Sequence, residues 1–96
     1  IRDMAINGYN HRRSGCLQLI LNPGWFESDR YTGTTHGSWN PYDSHIPLIW
    51  YGWHICPGES NTPVNMTDIS ATLAALLHIQ APNGCIGKPI TEITDK

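Results

Sequence analysis

Eight residues near the middle of the chain, Ile46-Pro-Leu-Ile-Trp-Tyr-Gly-Trp53, set the first constraint on what it can fold into. The run lacks polar alternation, so it reads as a strand buried on both faces, the pattern of a parallel sheet. Pro47 stands at its start, where a missing N–H is tolerated. Such a strand needs a layer on each side. The chain offers one clear amphipathic helix, residues 66–79, with Ile69, Leu73, Leu76 and Leu77 on one stripe. Thr67 stands at its N-cap position and Asp68 meets the positive end of the helix dipole. One helix cannot cover two faces.

A second apolar run, Cys16-Leu-Gln-Leu-Ile-Leu21, reads as a strand closed by the turn residues Asn22-Pro-Gly24. Residues 89–94 read as a last short strand or an edge extension. The expected fold class is α/β: a partial open sheet of two to three strands with one main helix, residues 1–96 forming a single domain. Apolar surface left uncovered by such a sheet predicts that the chain, taken alone, self-associates. The opening residues, Ile1-Arg-Asp-Met-Ala-Ile-Asn-Gly8, resemble the last turns of a helix, with Gly8 suited to the left-handed position past its end. The expectation is a piece of something longer.

Bulk properties exclude some function classes. Formal net charge is −2 and Arg12-Arg13 is the longest basic run, which argues against nucleic acid as a partner. No apolar stretch approaches the ~20 residues that span a bilayer. The three cysteines, Cys16, Cys56 and Cys85, form no C-x-x-C pair and make a poor zinc knuckle, although one pair could bridge in an oxidising compartment.

The chemistry concentrates in residues 25–44, a long loop rich in Gly, Thr, Ser, Asn and Asp. Loops of that length are commonly functional or disordered, and Trp25, Phe26, Tyr31 and Trp39 argue against disorder. Within it, Gly33-Thr-Thr-His-Gly37 offers a histidine among small residues, just before the buried run. An imidazole so placed suits a zinc ion, because small neighbours let the ring approach the metal. A lone loop histidine is more commonly not a ligand, since metal sites announce themselves by clustering. The other histidines read as bland: His11 solvated, His45 bonding backbone at a strand end, His78 closing a helix, and His54 near Cys56 by burial or chance.

Several segments taken together resemble the alkaline phosphatase superfamily, nearest to bacterial alkaline phosphatases of its nucleotide pyrophosphatase/phosphodiesterase-like branch. They are Ser14-Gly15 with Asn22-Pro-Gly-Trp-Phe26, then Thr32-Gly-Thr-Thr-His-Gly-Ser38, then His45-Ile-Pro-Leu-Ile-Trp-Tyr-Gly-Trp53. Met66-Thr-Asp-Ile69, Ala81-Pro-Asn-Gly84 and Gly87-Lys-Pro-Ile90 complete the set. The resemblance implies the C-terminal end of a two-zinc hydrolase acting on phosphate monoesters outside the cytoplasm, in the periplasm or secreted. Carried over, the last metal ligand in chain order is His36. The resemblance places the nucleophile and the other ligands in segments absent from these residues, so no catalytic residue is assigned. Thr35, Asp43 and Trp39 are candidates to bond the histidine's outer nitrogen, to face phosphate or to line the substrate's approach.

Two other readings stay open. Within the same chemistry, a phosphodiesterase or nucleotide pyrophosphatase is the nearest rival. Outside it, four Trp and four Tyr can build a non-catalytic stacking platform for sugars or apolar ligands, although Trp50, Tyr51 and Trp53 on the apolar run read as core.

Overall fold

The computed structural model describes residues 1–95. Four short helices are the regular elements: α1 (Arg2–Gly8), α2 (Pro41–Ser44), α3 (Asp68–Leu76) and α4 (Thr91–Thr94). Contacts divide the chain into two units, Ile1–Leu48 and Ile49–Lys96.

No strand forms among the described residues, so the expected partial open sheet is corrected. The reason is the non-local nature of a sheet. A strand exists only when its N–H and C=O groups meet those of a neighbour. No backbone–backbone hydrogen bond joins residues 16–21 or residues 46–51 to any other described segment. Their apolar side chains stand open as well: Leu17 is 90 % exposed, Ile49 83 % and Tyr51 100 %. Trp53, expected in the core, is exposed, and Trp50 is half-buried with its indole N–H lacking an acceptor among the described residues. The total surface is 9182 Å² for 10.7 kDa, against roughly 5,500 Å² for a self-contained folded chain of that mass. The apolar runs thus carry strand composition without the partners a strand requires.

In the first unit, α1 runs through Gly8, which keeps an ordinary helical conformation, and the chain leaves at Tyr9. Gly8 is therefore not the left-handed residue the sequence suggested. The Asn22-Pro-Gly-Trp25 turn forms as expected: the Trp25 N–H reaches the Asn22 carbonyl at 3.1 Å, with Gly24 at φ +81°. Proline second and glycine third is the type II pattern. Asn40 caps the position before α2 and is almost fully buried; its carbonyl accepts from the Asp43 and Ser44 amides.

The second unit is organised by α3. The predicted helix over residues 66–79 shortens to Asp68–Leu76. Thr67 occupies the N-cap position, yet its hydroxyl makes no capping bond. Asp68 instead ties the flanking chain: one carboxylate oxygen accepts from Asn65 N–H at 2.8 Å and the other from Lys88 N–H at 2.9 Å. Both bonds favour the ionised form, and they hold the Asp68 carboxyl below its usual range, the Lys88 amide most of all. The same side chain therefore holds the segment before the helix and pins the returning loop. At that crossing Gly87 lies so close to the Thr67 carbonyl that no β-carbon fits.

The buried face of α3 is Ala71, Thr72 and Ala74, packed toward α4 and Ile90. It is not the expected leucine stripe, of which Leu73 and Leu77 are exposed and Ile69 and Leu76 half-buried. Small side chains win this contact because the loop backbone approaches closely. Thr72, fully buried, donates to the Asp68 carbonyl at 2.7 Å and accepts the Ile90 N–H at 3.0 Å. Residues 91–94, expected as a strand, turn into α4, with Ile90 buried at its N-cap and Ile93 half-buried. No neighbouring strand is present among the described residues for this segment to extend, and one helical turn satisfies its amides locally. At the far end of α3, His78 N–H bonds the Ala75 carbonyl and Ile79 N–H the Ala74 carbonyl. That is a Schellman closure with His78 in the left-handed position at φ +53°, where glycine is usual.

Two expectations test this arrangement in the intact protein that carries these residues. Thr72→Val removes the acceptor for a buried N–H and costs about 1–3 kcal/mol in urea unfolding; a variant as stable as the wild type contradicts the clamp. For Asp68, a depressed folded pKa means stability that is present above the unfolded value and lost as pH falls through the folded one. The deficit of Asp68→Asn relative to wild type is therefore constant near neutrality and shrinks below the ordinary Asp value of 3.8. Equal deficits at neutral pH and at pH ~2.5 would refute the assignment.

Candidate functional site

The loop that carries His36 is shaped by glycine at both ends. Gly33 has φ +134° and Gly37 φ +92°, conformations a side chain would strain. Between them Thr34, Thr35 and His36 are exposed. His36 lies on the wall of a cavity of about 230 Å³ within the first unit. Thr35, Gly37, Ser38 and Trp39 share that wall, and Trp25, Phe26 and Glu27 form part of the rest of the lining with Leu19 and Leu21.

Of the four candidate residues, three therefore come together: His36, Thr35 and Trp39. Trp39 is half-buried. The Thr35 hydroxyl donates to the His36 carbonyl at 3.4 Å, a loop-internal use. Asp43 is not on the cavity lining. Its carboxylate accepts the Ser38 N–H at 2.7 Å, so it braces the loop two residues beyond His36. That amide holds the Asp43 carboxyl below its ordinary range, and the His36 ring adds a smaller attraction in the same direction.

Two contributors went unread in the sequence. Glu27 lines the cavity with His36, and nothing in its local pattern, Trp-Phe-Glu-Ser after a turn, distinguishes it from a solvated carboxylate. Tyr42, which the sequence places beside Trp39 either to flank the site or to pack the long loop down, accepts the Gly24 N–H at 3.0 Å across eighteen residues of chain. That amide also lowers the Tyr42 hydroxyl below the usual phenol range.

None of the remaining histidines is among the residues that line this cavity. His45 follows α2, with its N–H on the Pro41 carbonyl. His54 adopts φ +58° and its ring meets Trp53 edge-on, centroids 3.8 Å apart. Cys16, Cys56 and Cys85 are free thiols. Among the described residues no three His, Cys, Asp or Glu side chains converge as a metal cage. No helix among them is long and apolar enough to cross a membrane.

No protein-family model matches the chain. Individual proteins do. Alkaline phosphatase PafA of Elizabethkingia meningoseptica is 54 % identical over 97 % of the chain and 17 % of its own length. A protein named calcium-transporting ATPase from Myroides odoratus is 50 % identical over 100 % of the chain and 18 % of its own length. Alkaline phosphatase PhoV of Synechococcus elongatus is 52 % identical over 97 % of the chain, again 17 % of its own length. The crystal structure of wild-type PafA superposes with a TM-score of 0.85 at 55 % identity, over 93 % of this chain and 17 % of that one. The chain thus spans under a fifth of the relatives it matches. Over the stretch they share, the sequence identities and the superposition make this chain similar to one segment of the alkaline phosphatases PafA and PhoV.

Proposed function

We propose that this chain is the part of a zinc-dependent phosphomonoesterase that supplies one metal ligand, the imidazole of His36. The observation that carries the reading is the exposed ring on a cavity wall, in a Thr-His-Gly loop whose flanking glycines leave the metal room to approach. The donor chemistry fits zinc, which takes neutral imidazole readily. It fits as one contribution only, since the described residues gather no second or third ligand. The other ligands and the nucleophile belong to polypeptide beyond this segment, as do the activity and substrate of the whole. Bound zinc would polarise a phosphoryl oxygen and lower the pKa of the attacking water.

The chain's own residues shape that environment. Asp43 holds the Ser38 amide and so fixes the backbone just after the ligand. Trp39 and Thr35 line the approach together with Trp25 and Phe26. Phosphate esters are the substrate class. The relative named as an ATPase makes a nucleoside triphosphate the natural second substrate to assay beside an aryl monoester, and an aryl diester separates monoesterase from phosphodiesterase chemistry. An extracytoplasmic location, periplasmic or secreted, accompanies this reading and rests on the family likeness.

The exposed runs at residues 16–21 and 46–53 are faces for the rest of such a protein. Their side chains and the unpartnered Trp50 N–H wait for cover of that kind. Two outcomes follow. In the intact protein His36→Ala loses about 10²-fold or more in phosphatase activity and weakens zinc binding; wild-type zinc content and turnover in that variant defeat the assignment. The chain expressed alone turns over no aryl phosphate with zinc present, because one imidazole holds zinc weakly. It also self-associates, which a monodisperse monomer in light scattering would contradict.

A further inference from the structure

The two walls of the His36 cavity are remote in sequence. One is the stretch after the Asn22-Pro-Gly turn, Trp25 to Glu27; the other runs from Thr35 to Trp39. Among the described residues a single hydrogen bond ties residues 19–27 to residues 35–44: Gly24 N–H to the Tyr42 hydroxyl, at 3.0 Å. The Tyr42 side chain is 65 % exposed, so packing does not account for its placement. Its oxygen is held from a second side by the Asn40 amide group at 3.4 Å, and Asn40 is only 6 % exposed. The neighbouring residue of the same helical turn, Asp43, takes the Ser38 amide at 2.7 Å. Consecutive side chains of α2 thus hold both walls, Asp43 the histidine loop and Tyr42 the aromatic one.

We infer that Tyr42 is a positioning residue of this site, its hydroxyl fixing the Trp25–Glu27 wall against the loop that presents His36. The inference rests on the reading of His36 as a zinc ligand and adds a residue to it. A bond to a backbone amide sets distance without blocking the cavity, which a packed side chain would do. With the hydroxyl gone, the turn at Gly24 is free to drift from α2, and the imidazole loses the fixed surroundings that orient it toward a metal. Substrate contacts are not removed, so the loss falls on kcat and on metal affinity more than on KM.

The test compares wild type, Tyr42→Phe and His36→Ala in the intact protein. Zinc affinity is measured by competition with a chromophoric chelator, kcat and KM with an aryl phosphate monoester, and folding by thermal unfolding of the metal-free protein. Tyr42→Phe is expected to weaken zinc binding and lower kcat by about tenfold each, within the range seen when groups supporting a ligand are lost. KM changes less than twofold to threefold, roughly, because the residue makes no substrate contact. Wild-type zinc affinity and kcat in Tyr42→Phe, with His36→Ala impaired, overturn the positioning role and leave the His36 reading intact. A lowered unfolding temperature with unchanged zinc affinity also overturns it, since that marks a purely structural bond. Unimpaired zinc binding in His36→Ala overturns both.

Discussion

A carboxylate accepting two backbone N–H groups from different parts of the chain is the interaction on which the second unit depends. Asp68 takes the amide of Asn65, just before α3, and the amide of Lys88, twenty residues on. Without it, the first turn of α3 has an N-cap threonine whose hydroxyl caps nothing. Without it, too, the loop at Gly87 has no reason to lie against the Thr67 carbonyl closely enough to exclude a β-carbon. Thr72 extends the same arrangement one turn further by accepting the Ile90 amide. Apolar burial is slight, Ala71, Ala74 and Ile90, so directional bonds carry an unusual share of the order. The first unit repeats the device on a smaller scale, with Asp43 taking the Ser38 amide beside the candidate ligand. Ionised acceptors make stronger hydrogen bonds than neutral ones, which suits segments that lack a deep core.

What local bonds cannot supply is a sheet. The run at residues 46–53 has the composition of a doubly covered strand, yet its backbone finds no neighbour among the described residues and its side chains remain open to water. The composition is that of a strand, and the structure supplies none of the pairing a strand requires among the described residues. The buried, unpartnered N–H of Trp50 points the same way, since an indole donor is normally satisfied when taken out of water. The leucines of α3 make a parallel case. Leu73 and Leu77 follow a helical stripe of the kind a core selects, but the helix uses its alanine and threonine face for the contacts available within the unit.

These residues mark where the sequence was legible. Signals that act within a few positions are legible: the proline–glycine turn at Asn22 and the existence and type of α3. Each depends on local backbone preferences that no distant segment has to complete. Signals that need a partner were misread. The β composition of residues 16–21, 46–53 and 89–94 was taken for strands, and the leucine stripe was taken for the buried face. At the site, the glycines around His36 were visible because their backbone requirement is local. Glu27 was not, and of Tyr42 only its place flanking the site was, because a side chain bonding an amide eighteen residues away leaves no trace in spacing.

The same division between local and distant bears on how such a site can work. A zinc ligand drawn from one segment is useful only if its ring is already oriented when the other ligands arrive, because ordering it later would subtract from metal affinity. In this chain the loop around His36 is shaped by short-range parts, glycine at positions 33 and 37 and Asp43 on the Ser38 amide, while Tyr42 of the same α2 adds one bond to Gly24, eighteen residues back. The loop that presents His36 can therefore hold its form while the apolar runs on either side of it in sequence depend on the rest of the protein for cover. Under the proposed zinc reading, such a braced loop is what would place a single imidazole for a metal whose other ligands come from elsewhere.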